Sequence, residues 1–226
     1  AKLVPLRLRQ HAASIEAISR RLDLSADDRW LACLPLHHIG GLAIVLRALF
    51  TGASVSLHER FEAEDVVDEL NAGRITHASL VPTLLGRLVG ALDGPLAGSL
   101  SGRLTGSLRC VLIGGAASEP ELLSRARAMG LPVVPTWGMT EAASQLATPS
   151  PTEAAAIDFA AAPGRIGRVL DGVELRSSSG AGREDQLEVR APQLFDGYAD
   201  SPGGPDADGW FATGDRGVID ADGRLW

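Results

Sequence analysis

The chain has 226 residues, a formal net charge of −7, 45% hydrophobic residues and 22% charged residues. That length allows one large domain or two small ones around a sizeable core, and the acidic balance excludes a nucleic-acid surface, which needs clustered Lys and Arg. No apolar run is long enough for a membrane span and no signal peptide opens the chain; Cys33 and Cys110 sit in apolar runs and read as buried thiols in a reducing, cytoplasmic setting.

Residues 10–22 have helical spacing, with Ile15, Ile18 and Leu22 on one face. Trp30-Leu31-Ala32-Cys33-Leu34 is a short buried strand. Residues 42–50 are apolar nearly all round, as in a buried helix. A strand over 53–57 follows, then a helix over 62–72 whose first turn is acidic and whose stop is Gly73. Residues 75–81 read as a strand, 82–89 as a helix and 93–107 as a surface loop. Residues 108–113 are another buried strand, and Gly114-Gly115-Ala116-Ala117 a tight turn. Ser118 with Glu121 predicts a capping box for a helix ending at Gly130. Strands and helices alternating from 30 to 137 predict a doubly wound, mainly parallel sheet.

After about residue 150 the composition changes. Residues 149–163 read as a loop or boundary, followed by short strands near 165–169, 173–176, 186–189 and 218–220. Asp222-Gly223 signals a hairpin whose returning strand is expected to be cut off. The predicted division is an α/β subdomain over 1–150 and a smaller β-rich subdomain over 151–226.

Four segments carry chemistry. Small residues after a strand, as in Ile113-Gly114-Gly115-Ala116, let a flat ligand lie on bare backbone; a simple tight turn is the alternative. In Trp137-Gly138-Met139-Thr140-Glu141, an indole can stack on a purine, a hydroxyl can bind phosphate and a carboxylate suits Mg²⁺. The same residues could instead start a helix, with Thr140 as cap and Trp137 in the core. Asp215, among glycines, is either a turn former or a ribose ligand. His37 and His38 are adjacent, which is wrong for two metal ligands on one helix face; they fit the mouth of a pocket or a solvent-facing loop.

Taken in order, these segments resemble the adenylate-forming superfamily of acyl-CoA synthetases, peptide-synthetase adenylation domains and luciferases. Pro35-Leu36-His37-His38-Ile39-Gly40-Gly41 is similar to the loop before its acyl pocket, Gly114-Gly115-Ala116 to its adenine-facing turn, and Trp137 to Glu141 to its aromatic-Gly-x-Thr-Glu motif, with Trp where Tyr is commoner. Leu187-Glu188-Val189-Arg190 and the segment from Gly209 to Gly217 resemble two later motifs. Lys2 resembles the last lysine of the family's phosphate loop. The rest of that loop and the small C-terminal domain, with its catalytic lysine, are expected outside residues 1–226, leaving this stretch inactive alone. Residues 75–83 and 140–145, above all Ser144-Gln145, most resemble the o-succinylbenzoate–CoA ligase branch of menaquinone biosynthesis.

The resemblance implies an ATP-dependent acid–CoA ligase that forms an acyl-adenylate, using ATP, Mg²⁺ and CoA. Thr140 and Glu141 would be catalytic, Glu141 holding Mg²⁺. Gly114, Gly115, Ala116, Trp137, Thr140 and Asp215 would bind the nucleotide, and His38, Gly138, Ser144 and Gln145 would border the carboxylic acid. Other acyl- or aryl-CoA ligases, an adenylation domain, or an inactive binding core remain open, and a homodimer is compatible.

Overall fold

The computed structural model describes residues 2–98, 107–177 and 182–226. Helix α1 (Leu8–Leu22) buries Ile15, Ile18 and Leu22 and stops at Asp23, whose φ of 53° is left-handed. The sheet follows as β1 (Arg29–Ala32), α2 (Ile39–Thr51), β2 (Ser54–Leu57), α3 (Ala63–Asn71), β3 (His77–Leu80), α4 (Pro82–Asp93), β4 (Cys110–Ile113), α5 (Pro120–Ala128) and β5 (Val133–Pro135). All four pairings are parallel, in the order β2-β1-β3-β4-β5. The expected doubly wound sheet is therefore present. The loop expected over 93–107 lies largely outside the described residues.

Successive side chains of a strand face opposite ways, and the sheet uses both faces. Leu31, Ala78, Val111, Ile113 and Val133 pack with α3, α4 and α5. Trp30, Ala32, Cys110, Leu112 and Val134 pack with α1, α2 and, from later in the chain, Leu170, Val189, Phe195 and Phe211. Leu31, Ile44, Ile75 and Leu85 are fully buried; burial of such a side chain contributes about 1.5–3 kcal/mol. Cys33 and Cys110 are free and buried, with no disulfide between them. Among the described residues, no helix is long and apolar enough to cross a membrane.

Two local expectations are corrected. Ser118 and Glu121 form no capping box: α5 starts at Pro120, with Glu119 as its N-cap and no side-chain cap bond. Proline needs no N–H at a first helical position and so fixes the start there. Residues 149–163 are not simply a loop. Ser150 and Glu153 close a reciprocal capping box on α6 (Pro151–Ala155), with Ser150 N–H donating to Glu153 Oε2 at 2.8 Å.

Beyond β5 the chain forms an antiparallel pair, β6 (Trp137–Met139) and β7 (Ser144–Ala147), around a 3-10 turn at Thr140–Ala142. Thr140 thus opens a single turn, and Trp137 lies in a strand. The later strands are β8 (Gly167–Arg168), β9 (Glu174–Ser177), β10 (Asp185–Arg190), β11 (Phe211–Gly217) and β12 (Arg224–Leu225). They make a three-stranded sheet, β11-β10-β9, and a β12-β8 pair. The expected strand near 218–220 is reduced to one bridge, Ile219 to Leu225, and strand β11 precedes it. The strand returning after Asp222-Gly223 is present as β12.

Candidate active site

The chain steps from β1 out to β2, then returns past β1 to β3 and continues outward to β5. The strand order reverses between β1 and β3, and ligands of open α/β sheets bind at such a switch point, beyond the carboxyl ends of the strands. Two chambers lie there. The smaller, about 120 Å³, is lined by Leu34, Ile39, Gly40, Arg47, residues 79–81, Gly114, Gly115, Thr136, Gly138, Met139, Ser144 and Gln145. The larger, about 400 Å³, is lined by residues 115–118, 136–138, Asp215, Arg216 and Trp226, among others. Gly115, Thr136 and Gly138 face both chambers.

The turn after β4 must be small. A Cβ on Gly114 would meet Thr136 Cγ2 at 2.7 Å and its carbonyl O at 3.0 Å, and Gly115 has a φ of +82°. Gly115, Ala116, Trp137 and Asp215 line the larger chamber together, whereas Gly114 lines the smaller. Trp137 Nε1–H donates to Asp215 Oδ2 at 2.8 Å, joining two segments 78 residues apart. The indole edge is thereby tied to the carboxylate, while the chamber keeps bare backbone on its β4 side.

The smaller chamber has one feature that sequence reading missed. Arg47 lies on α2, only 2% exposed. Its Nη2 donates to Ser144 Oγ at 3.2 Å and to Gln145 Oε1, and its Cζ sits 5.4 Å from the centre of the Trp30 ring. No carboxylate pairs with it among the described residues. Burial lowers its pKa to about 10, which still leaves it charged at neutral pH. Buried arginines are almost always paired, so an unpaired one lining a chamber is set up to receive an anion. The available signal was a lone arginine inside the otherwise apolar stretch 42–50.

Ser144, Gln145 and Gly138 line the smaller chamber, and His38 does not. It is the N-cap of α2, exposed, with its ring against that of His37 at 4.3 Å, beside the lining residues Ile39 and Gly40. Gly138 is required by the hairpin itself: a Cβ there would lie 1.9 Å from Ser144 O. Ala143 and Ser144 hold φ values of 50° and 113°, conformations that L-residues rarely adopt. Such strain persists where the surroundings over-determine it, and here it aims Ser144 at Arg47.

Thr140 and Glu141 line neither chamber. Thr140 is exposed at the start of the 3-10 turn. Glu141 Oε1 accepts from Tyr198 O–H at 2.7 Å. Burial, and then the neighbouring Glu141, push the Tyr198 hydroxyl up to about 12. Lys2 Nζ stands 4.3 Å from the Tyr198 ring centre. Ala199 N–H donating to Leu3 O at 3.0 Å holds the N-terminal strand of chain alongside. A lysine, a tyrosine and a glutamate therefore converge from three parts of the sequence. Among the described residues no three His, Cys, Asp or Glu side chains form a metal cage. A lone carboxylate nevertheless fits Mg²⁺, which keeps several waters and shares its ligands with substrate phosphates.

Fold and site define an α/β protein with paired ligand chambers at the switch point of a parallel sheet, one backed by bare backbone and the other by a buried cation. The chain belongs to the AMP-binding enzyme family, whose model matches residues 1–199. It is 35% identical over 225 residues to a 2-succinylbenzoate–CoA ligase of Bacillus licheniformis, covering 96% of this chain and 44% of that protein. Among solved structures it is similar to o-succinylbenzoate CoA synthetase from Bacillus subtilis. The complex with the acyl-adenylate intermediate matches at TM-score 0.86 and 30% identity, over 100% of this chain and 45% of that one. The complex with ATP and magnesium ion matches at 0.84 and 30%, over 99% and 46%. A malonyl-CoA ligase with methylmalonyl-CoA and AMP bound matches at 0.86 and 31%, over 99% and 48%. The chain spans less than half the length of these relatives.

Proposed function

We propose that these residues are the acid- and nucleotide-binding core of an ATP-dependent acid–CoA ligase that acts through an acyl-adenylate, with 2-succinylbenzoate as the acid. One observation carries this reading: a buried, unpaired arginine in a small chamber that shares a glycine wall with a larger one. The first step needs the acid carboxylate and the ATP α-phosphate held together. Positioning and charge neutralisation supply most of such a barrier reduction.

In this reading ATP occupies the larger chamber. Gly115 and Ala116 lie along the adenine, with Gly114 on the smaller-chamber side of the same turn, Trp137 stacks near it, and Asp215 accepts from the ribose hydroxyls while held by the indole N–H. Thr140 and Lys2 face the phosphates. Glu141, oriented by Tyr198, would hold Mg²⁺, which neutralises phosphate charge. The acid enters the smaller chamber between Gly138, Ser144 and Gln145, with His38 at its rim. Arg47 pairs with the carboxylate that does not react. The other carboxylate attacks the α-phosphorus; the P–O bond to pyrophosphate breaks, leaving acyl-adenylate and pyrophosphate. CoA thiolate then attacks the acyl carbon, AMP leaves and the thioester remains.

We further propose that residues 1–150 and 151–226 differ in architecture rather than in core, since α1, α2 and strands of both halves share one apolar cluster. Two free buried cysteines support a reducing, cytoplasmic setting.

A second reading is a shorter dicarboxylate. The 120 Å³ chamber and the likeness to a malonyl-CoA ligase favour it. ATP–pyrophosphate exchange by the intact protein decides, using 2-succinylbenzoate, 3-benzoylpropionate (which lacks the ring carboxylate), methylmalonate, propionate and a fatty acid. Exchange greatest with 2-succinylbenzoate is expected. Exchange greatest with methylmalonate selects the second reading, and equal exchange with the fatty acid rejects both.

A further inference from the structure

Arg47 has a geometric problem. Both of its polar contacts run to one terminal nitrogen, Nη2. They tether the guanidinium at a point and leave its plane to be fixed by something else. The guanidinium also lies over the Trp30 ring, its Cζ 5.4 Å from the ring centre.

Trp30 is fully buried in β1, and its ring stacks on His77 at 4.8 Å with an interplanar angle of 26°. The two residues are register partners on neighbouring strands. His77 is held in turn: Nδ1 lies 2.8 Å from Thr76 Oγ1 and 3.4 Å from Asp28 Oδ1, and Asp28 is paired with Arg109 at 2.5 Å. A line of contacts thus runs from the smaller chamber through Arg47, Trp30 and His77 to an ion pair at the other end of the strands.

The indole is costly at this position. Trp30 Nε1 and His77 Nε2 are both buried without a hydrogen-bond partner, and an unsatisfied buried donor is penalised. Phenylalanine or leucine would fill much of the space without that penalty. What an indole adds is the strongest aromatic face for a cation, and that attraction grows when the pair is desolvated.

Building on the acid–CoA ligase reading above, we propose that Trp30 is a positioning residue for acid recognition. Backed by His77, its ring face sets the plane of the Arg47 guanidinium toward the smaller chamber and so governs preference for an acid with a second anionic group.

The test compares wild type, Trp30→Phe and Trp30→Leu in the intact protein. KM is measured for ATP, for 2-succinylbenzoate and methylmalonate, and for their monocarboxylate counterparts 3-benzoylpropionate and propionate. Melting temperature is recorded for each variant. In Trp30→Leu the KM for the preferred dicarboxylate should rise about tenfold, the scale of a desolvated cation–π contact. Its advantage over the monocarboxylate should shrink by the same factor, while KM for ATP stays within about twofold on the same accounting. Trp30→Phe, which keeps a ring face, should fall between, and it serves alone if the leucine variant does not fold. Dicarboxylate preference unchanged in a folded variant, or all KM values rising together, overturns the positioning role and leaves the ligase reading intact. A wild type that activates none of these acids overturns both.

Discussion

Replacing Arg47 with methionine tests the site most directly. Methionine keeps length and volume and removes the charge. Two opposed terms act on stability. Replacing buried ionic groups by well-packed apolar ones of similar volume is often neutral or stabilising, by up to about 4 kcal/mol. Leaving Gln145 Oε1 without its partner costs about 1–3 kcal/mol, since Gln145 is itself only 4% exposed. The net change should stay within about 3 kcal/mol, a melting shift of no more than about 12 °C for a chain of this size. Binding has no such cancellation. Loss of a charge-assisted contact worth about 1.5–3 kcal/mol raises KM for the dicarboxylate about ten- to hundredfold. KM for ATP should hold, because Arg47 lines only the smaller chamber. Pyrophosphate release measured against each substrate, alongside thermal melts, separates the two effects. A variant that keeps wild-type KM for its dicarboxylate, or that loses ATP affinity to the same degree, refutes the assignment.

Trp137→Phe removes the indole donor to Asp215; a net hydrogen bond of about 0.5–1.5 kcal/mol predicts a two- to tenfold rise in KM for ATP, with KM for the acid unchanged. Gly138→Ala puts a methyl carbon 1.9 Å from Ser144 O, and a loss of about 3 kcal/mol or more should appear as a much lower melting temperature; a melt like wild type would show that the hairpin opens freely. Acid should weaken the fold through His77, whose pKa burial lowers to about 4 from 6.5. The folded state holds it neutral, so the unfolded chain takes up the proton first, and stability falls as pH drops from about 6.5 towards about 4. Melting temperatures over that range should decline, less steeply in His77→Asn; equal slopes in both proteins would remove His77 as the cause.

Much of the sheet could be read from the chain because its strands are short apolar runs set between helical patterns, and because Gly52 and Gly73 punctuate them. The site was partly legible for the same reason: glycines and Trp137 follow strands directly. Arg47 was hidden by its own surroundings, since an apolar helix reads as core and gives no hint that one position reaches a chamber. Tyr198 carries no local pattern, and Lys2 stood out only by resemblance; the backbone bond between Ala199 and Leu3 brings both towards Glu141. Strand β11 went unread because Asp215 stands among glycines, which favour turns; most of Thr213-Gly214-Asp215-Arg216 is exposed, at the edge of its sheet. The Ser118 box failed on one neighbouring residue, Pro120.

Because Gly115, Thr136 and Gly138 face both chambers, the partition is little more than one backbone thick. Changes there must reshape both chambers at once, and Gly138 tolerates no added carbon at all. Room for change lies in the outer walls: Arg47 and Gln145 on one side, Asp215 and Arg216 on the other. The molecule is therefore divided into a fixed seam and two separately adjustable ends. On the proposed function, a lineage could exchange one acid for another by altering α2 and β7 while the larger chamber stayed untouched, and an engineer seeking a new acid specificity would randomise those same positions and leave the seam alone.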